Sequence, residues 1–234
     1  MRVIDGARAK AGARRGRPPK TADLPDTRDA ILDVAEALFS AHGFHGVTIR
    51  QVAADAGVDT ALVHYYFGAK RNLFEAVFLR RAEVLNHDRL EALEQIASGP
   101  REQMTVEALI DAFVGPVLDW QATGGPGWKH YCALVSQVNA TPEWGGETMT
   151  RYFDPVVHRM IELLSELLPT ARREDLYWAY HCLSGALTLT MGETGRLDRL
   201  SGGVCRSGDL KTARETMVAF AAAGFRRVVE ERGR

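Results

Sequence analysis

The sequence predicts an all-α protein with an N-terminal three-helix helix-turn-helix domain and a larger C-terminal helical domain. Apolar residues recur at helical spacing along most of the 234 residues. Runs that alternate β-branched and polar residues, which are typical of strands, are nearly absent. Apolar residues make up 46% of the chain, which is enough to bury cores in two domains of unequal size.

The first twenty residues carry a local charge that the near-neutral total hides. They contain seven basic residues and one acidic residue, whereas the whole chain has a net charge of −1, so the remainder is acidic. Residues 1–23 are also rich in Gly, Ala and Pro and lack a hydrophobic period. We therefore expect a disordered basic arm at the N-terminus.

The first helix is expected to begin at Asp26 or Thr27, because either side chain can cap a helix N-terminus. Gly43 is expected to end this helix, since glycine readily takes the left-handed conformation that stops one. The apolar residues that share one face of this helix are Ile31, Leu32, Ala35, Leu38 and Phe39.

Residues 47–70 predict two short helices joined by a tight turn. Thr48 and Gln51 have the spacing of a capping box at the start of the first one. Gly57 gives the backbone freedom that the turn needs, and Asp59 is a good N-cap for the second helix. Two brief helices connected in this way form a helix-turn-helix.

A long helix is predicted after this motif, and it contains the expected domain boundary in its first turn. The predicted domains are residues 24–72, which contain the helix-turn-helix, and residues 73–234. The predicted helices of the second part cover residues 70–97, 104–122, 127–140, 142–168, 171–193 and 209–231, with a Gly/Ser-rich loop at 201–209.

Residues 27–77 resemble the DNA-binding domain of the TetR family of bacterial transcriptional regulators. The matching features are the apolar helix that ends in "HGF", the pattern T-x-R-x-V-A-x-x-A-G-V, the "YYF" end of the next helix, and Lys70 at the start of the long helix. The resemblance implies a regulator that binds double-stranded DNA, and a large domain that forms a homodimer and holds a small-molecule effector.

The second short helix is expected to read bases, because a major groove admits one helix and its N-terminal residues reach the base edges. Asp59 is assigned mainly to capping, and it stands where the family usually has Ser or Thr. Ala61 and His64 also depart from the family pattern, so base preference cannot be transferred from a relative. The candidate contacts are Thr60, Ala61 and Leu62 for bases, and His64 and Tyr65 for the sugar-phosphate backbone.

Phosphate oxygens are expected to meet Thr48, Arg50 and Lys70, because helix N-termini present unpaired N–H groups and a positive dipole end. In the arm, "RGRP" resembles the core of an AT-hook. Arg15 and Arg17 are therefore expected to enter an A·T-rich minor groove, where narrowing concentrates negative potential. The alternative is a basic tail that acts only through counterion release.

Dimerisation is expected to use the helices at 171–193 and 209–231, whose small residues permit close helix approach. An intrachain core is the alternative for these helices.

The effector pocket is expected to have aromatic and apolar walls, although each of these residues could instead be ordinary core. Two segments, "YFDPVVHRMIELLSELLP" and "YWAYHCLSGALTLTM", resemble less specifically the fatty-acid-responsive branch of the family, which favours an acyl or other elongated apolar effector. The candidate lining residues are Trp120, Trp128, Tyr131, Trp144, Tyr152, Phe153, Met160, Trp178, Tyr180 and His181.

Other classes of function find little support. The chain lacks GxSxG, a P-loop, HExxH and GxGxxG after a strand, and its His and Cys residues lack zinc spacing, so no enzyme, cofactor or metal site is expected. Three cysteines without a CxxC pair favour a reducing, cytoplasmic location. The charge-free run 176–192 is just too short to suggest a membrane span and predicts a buried helix.

The favoured function is a repressor that a small apolar effector releases from a palindromic operator. One alternative is an architectural, low-specificity DNA-binding protein without an effector. The other is an all-α enzyme or binding module that has acquired a DNA-reading domain.

Overall fold

The computed structural model of the chain describes residues 24–142 and 147–232, and these residues contain helices and no strand. Arg15, Arg17 and Trp144 lie outside the described residues. A short 3₁₀ turn covers Arg101–Gln103. Ten α-helices are described: α1 (Leu24–His42), α2 (Ile49–Asp55), α3 (Thr60–Phe67), α4 (Lys70–Ser98), α5 (Val106–Thr123), α6 (Pro126–Asn139), α7 (Glu147–Leu167), α8 (Arg173–Met191), α9 (Arg196–Leu200) and α10 (Leu210–Arg232).

Helix α1 begins at Leu24, earlier than the cap expected at Asp26 or Thr27. That expectation was wrong by about a turn, because a proline such as Pro25 is well tolerated in the first helical turn and allows the helix to begin earlier. The end of the helix is confirmed. Gly43 has a φ of +68°, and its N–H donates to the Phe39 carbonyl over 2.9 Å.

Helix α4 is continuous from the N-terminal helices into the large domain. Its first half buries Leu73, Phe74 and Val77, and its second half buries Leu85 and Leu93. The core is one connected cluster that reaches from α1 to α10. The expected domain boundary after residue 72 therefore falls inside one continuous helix that packs in both parts of the chain.

Helices α5 to α8 and α10 surround the C-terminal core. Arg214 of α10 crosses to α5, where its guanidinium binds Asp111 with N–O distances of 2.6 and 2.7 Å and Asp119 with distances of 2.8 and 2.9 Å. Gly115 lies beneath this guanidinium, and a Cβ there would collide with it. This contact fixes α10 on α5.

Helix α8 is not the buried helix that its apolar composition predicted. Trp178 is 58% exposed and Leu189 is 67% exposed, while Leu183 and Leu187 on the other face are buried. Its apolar residues therefore lie both on an exposed surface and in the core. None of the described helices combines the length and hydropathy that a bilayer span requires. The short helix α9 was not expected.

Candidate functional site

The exposed face of α3 is the first candidate site. Asp59 caps this helix, with its Oδ1 accepting from the Ala61 N–H over 2.7 Å, as the sequence predicts. Val63 and Phe67 are buried and hold the helix against the core. The opposite face presents Ala61, His64 and Tyr65 to solvent, with Tyr65 80% exposed, while Thr60 and Leu62 are half-buried beside them.

Helix α2 and the turn that follows it position α3. Thr48 caps α2, and its hydroxyl accepts from the Gln51 N–H over 3.2 Å. Gly57 has a φ of +67°, which confirms its role in the turn. Thr48 and Arg50 are both exposed at the start of α2. A hydroxyl, a guanidinium and a helix N-terminus thus share one surface near α3, which suits phosphate oxygens.

His64 has an internal partner. Its Nδ1 lies 2.7 Å from the carbonyl oxygen of Gly68, which ends α3 with a φ of +67°. An N–H on Nδ1 donates to this carbonyl and leaves Nε2 for an outside partner. The protein itself therefore fixes the orientation of the ring.

Lys70 closes the loop between α1 and α2. Its Nζ donates to the carbonyl oxygens of Phe44, over 3.0 Å, and Val47, over 2.9 Å, and it lies 4.3 Å from the centre of the Phe44 ring. Two of its three N–H groups are therefore used within the protein. The phosphate contact predicted from the sequence stays a prediction, which the remaining N–H could satisfy.

Substituting Lys70 tests this structural role. We expect Lys70→Met to lower the free energy of unfolding by about 2 kcal/mol, because charge-assisted hydrogen bonds to two carbonyls are lost. Chemical denaturation measures this, with Lys129→Met at an exposed lysine as the control. An unchanged midpoint for Lys70→Met would contradict the role. A phosphate contact would appear separately, as a decrease of about one in the salt slope of DNA binding.

The second candidate site is a cavity of about 30 Å³ inside the large domain, lined by residues of α4, α5, α6, α7 and α8. Its walls are mostly apolar, with a few polar side chains that include Arg89, Tyr131 and Ser184. A volume of this size holds about one or two water molecules. Met149 and Met191 also line it, and methionine side chains repack readily.

The structure brings only part of the expected pocket together. Tyr131, Phe153 and Tyr180 line the cavity. Trp120 and Trp128 instead stack on each other, with ring centres 4.7 Å apart. The remaining described candidates lie elsewhere: Tyr152 packs near Phe78, Met160 is core, Trp178 is exposed, and His181 lines an open groove between α6 and α8.

The two sites lie largely in segments that match known protein families. Residues 31–77 match the model for "Bacterial regulatory proteins, tetR family", and residues 111–224 match the model for "Tetracyclin repressor-like, C-terminal domain". The first match contains the helix-turn-helix surface and the second contains most of the cavity wall. The chain belongs to the TetR family. This is a family of bacterial regulatory proteins.

Curated relatives of this TetR-family protein match its N-terminal part. The HTH-type transcriptional regulator BetI of Agrobacterium fabrum is 38% identical over 87 residues, which are 37% of this chain and 42% of the relative. BetI of Rhizobium meliloti is 37% identical over 92 residues, or 39% of this chain and 44% of the relative. The chain thus spans less than half the length of these relatives.

Solved structures share the fold over most of the chain. A TetR-like transcriptional regulator from Rhodococcus sp. RHA1 has a TM-score of 0.57 and 19% identity, covering 83% of this chain and 93% of that one. The fatty acid degradation regulator FadR from Bacillus halodurans has a TM-score of 0.53 and 16% identity, covering 86% and 97%. At these identities the likeness concerns the fold alone.

A buried ion pair joins the DNA-binding part of this TetR-family regulator to its large domain. Glu36 of α1 is 1% exposed and binds Arg81 of α4 in a two-pronged contact, with N–O distances of 2.6 and 2.7 Å. Burial alone would lower the pKa of Arg81, but the hydrogen bonds to Glu36 and its charge outweigh this effect and raise the pKa. Arg80 adds a third contact to Glu36 over 3.3 Å.

The same arginine reaches the aromatic pair of the large domain. The Arg81 guanidinium lies 5.2 Å from the centre of the Trp128 ring, and the stacked Trp120 donates from Nε1 to Asp88 of α4 over 2.6 Å. Sequence reasoning missed Glu36 and Arg81. A glutamate within an otherwise apolar helical stripe was the available signal, since an acid on a buried face needs a partner.

Proposed function

We propose that this protein represses transcription by binding a palindromic operator as a homodimer, and that a small apolar effector releases it. The observation that carries the proposal is the course of α4. This one helix holds Lys70 at the helix-turn-helix, Arg81 at the buried ion pair and Arg89 at the cavity wall. The nineteen residue-to-residue steps from Lys70 to Arg89 span about 28 Å at the rise of an α-helix.

Effector binding would act through this helix. A cavity of about 30 Å³ must enlarge to admit an effector, and Leu85 and Arg89 of α4 belong to its wall. Because α4 is continuous, a shift at Arg89 also moves the surface that holds α1 through Glu36. In a palindromic operator the two half-sites are spaced by whole helical turns of DNA. If the distance between the α3 helices of the two subunits changes, one of them loses contacts with its half-site.

The homodimer is supported by apolar side chains that α8 and α10 leave in solvent. Trp178 and Leu189 of α8 are 58% and 67% exposed, and Phe220 of α10 is 77% exposed. Gly185 and Gly224 on the same two helices have open space around them. Large apolar groups beside small residues permit close packing of helices from a second subunit.

Charge on this face should separate the subunits. We expect Phe220→Glu to weaken dimerisation about tenfold or more, because twofold symmetry places the carboxylate twice in one apolar interface. The fold of each subunit should persist, since Phe220 is largely exposed. Sedimentation equilibrium measures the change, with Val84→Glu on α4 as the control at another exposed apolar residue. A Phe220→Glu protein that dimerises like wild type would place the interface elsewhere.

Selection of duplexes from a random pool by the full-length protein tests the operator. We expect enrichment of two inverted half-sites whose centres lie about one helical turn of DNA, or a multiple of it, apart. Footprinting of the DNA that flanks its own gene then shows whether such a site is occupied, and acyl and aromatic compounds are tested for release. A pool without any enriched sequence would contradict the proposal and favour the architectural alternative.

A further inference from the structure

Arg89 is a buried arginine in the wall of the interior cavity. It comes from the middle of α4 and is 4% exposed. Its Nε donates to the Phe113 carbonyl over 2.7 Å, and its guanidinium carbon lies 4.3 Å from the centre of the Phe113 ring. These contacts fix the plane of the guanidinium and leave the two terminal NH₂ groups without a hydrogen bond to any described residue.

No carboxylate within the described part of the chain neutralises Arg89. Burial lowers the pKa of Arg89 to about 10, so the side chain still carries its charge at pH 7. Arg81, another arginine of α4, differs from Arg89 because it binds the carboxylate of Glu36 directly. A buried charge without a counter-ion is costly, because its hydrogen bond to one carbonyl does not replace the hydration that the guanidinium has lost.

A second polar group in the same wall also lacks a partner. The Tyr131 side chain is fully buried, and its hydroxyl has no hydrogen bond to the residues described. Burial raises the pKa of this hydroxyl, so it remains a neutral donor. Arg89 and Tyr131 therefore place a charged guanidinium and an O–H donor in the wall of one cavity.

We propose that the effector is an organic acid whose carboxylate is bound by Arg89 and Tyr131. This inference rests on the proposed effector-responsive function and specifies its ligand. A carboxylate offers two coplanar oxygens, which match the two-pronged geometry of a guanidinium. Arg89 is the single charged residue among the described cavity-lining residues, which suits a monoanion better than a phosphate dianion.

The remainder of the ligand is apolar. Phe113, Val117, Val135 and Leu187 supply hydrocarbon walls next to the polar groups. The cavity of about 30 Å³ accommodates little more than a carboxylate, so the hydrocarbon part enters where Met149 and Met191 repack. The ligand class is therefore an aliphatic or aryl monocarboxylic acid.

Matched acids and amides test the assignment on the full-length protein. Octanoate and phenylacetate are each compared with their primary amides by thermal unfolding and by calorimetric titration. We expect at least one acid to raise the unfolding temperature and to bind about tenfold or more tightly than its amide, as charge-assisted hydrogen bonds predict. Equal affinity of acid and amide, or no stabilisation by either acid, would overturn the proposal.

Arg89→Met removes the charge while keeping an apolar side chain, with Arg159→Met at a surface ion pair as the control. We expect Arg89→Met to lose the preference for acids and to unfold no earlier than wild type without ligand, because an unpaired buried charge is gone. A purely structural Arg89 would instead give a lower unfolding temperature and an unchanged acid preference.

Operator release separates this inference from the proposed function. If the acids bind through Arg89 but leave the operator complex intact, the effector mechanism fails and the acid site stands. If amides release the operator as well as the acids do, the acid site fails and the effector mechanism stands.

Discussion

Ala61→Glu is expected to abolish most operator binding while leaving the fold intact. Ala61 is exposed near the N-terminus of α3, where a carboxylate favours the helix dipole. In a major groove the same carboxylate is repelled by the hydrogen-bond acceptors on the base edges and by nearby phosphates. Since both subunits carry the substitution, we expect a loss of about 4 kcal/mol, or roughly 1,000-fold in affinity. Fluorescence anisotropy with the selected duplex measures the affinity.

Ala122→Glu is the matched control, because Ala122 is an exposed alanine of α5 and lies outside the DNA-binding domain. It adds the same charge and should leave operator affinity nearly unchanged. Circular dichroism and the unfolding temperature verify that both variants are folded. If Ala61→Glu bound the operator as tightly as Ala122→Glu does, α3 would not be the recognition helix.

Glu36→Ala is expected to cause the largest loss of stability. It leaves Arg81 half-buried without the carboxylate that accepts hydrogen bonds from its Nε and one terminal NH₂ group. Removing one member of a buried ion pair typically costs about 3–5 kcal/mol, because the remaining charge is uncompensated. Urea denaturation followed by circular dichroism gives the free energy of unfolding.

The double variant Glu36→Leu/Arg81→Met provides the comparison, since replacing both charges by apolar groups is often close to neutral. We expect it to recover most of the stability, while Arg80 keeps its contact of 2.9 Å with Asp33. A double variant as unstable as Glu36→Ala would show that packing, and not the unpaired charge, governs this site. Gly127→Ala perturbs the same contact sterically, because a Cβ there would collide with Arg81.

The helix-turn-helix could be predicted from the sequence almost residue by residue. Thr48 and Asp59 cap α2 and α3 as expected, and Gly43 and Gly57 take positive φ. Each of these features depends on contacts within about four residues, so the local sequence contains all the information. The start of α1 was the exception, since a proline in the first turn permits a helix to begin before the expected cap.

The cavity could be predicted only as a type of site. Aromatic composition indicated an apolar pocket in the large domain, but the same composition also describes ordinary core. Trp120 and Trp128 stack on each other, while Arg89, which no sequence pattern singled out, lines the cavity. Helical periodicity places a residue on a face without stating which neighbour covers that face.

By itself, the sequence determined the helical class, the DNA-reading motif and the positions of most helix ends, because capping, turn geometry and periodicity are short-range properties. Only the tertiary structure decided which polar groups meet and which stay unpaired. Lys70 binds a carbonyl 26 residues away, Glu36 meets Arg81 across 45 residues, and Arg89 meets Phe113 across 24. Such partners are chosen by how whole helices pack, and the packing depends on the buried surface of the entire chain.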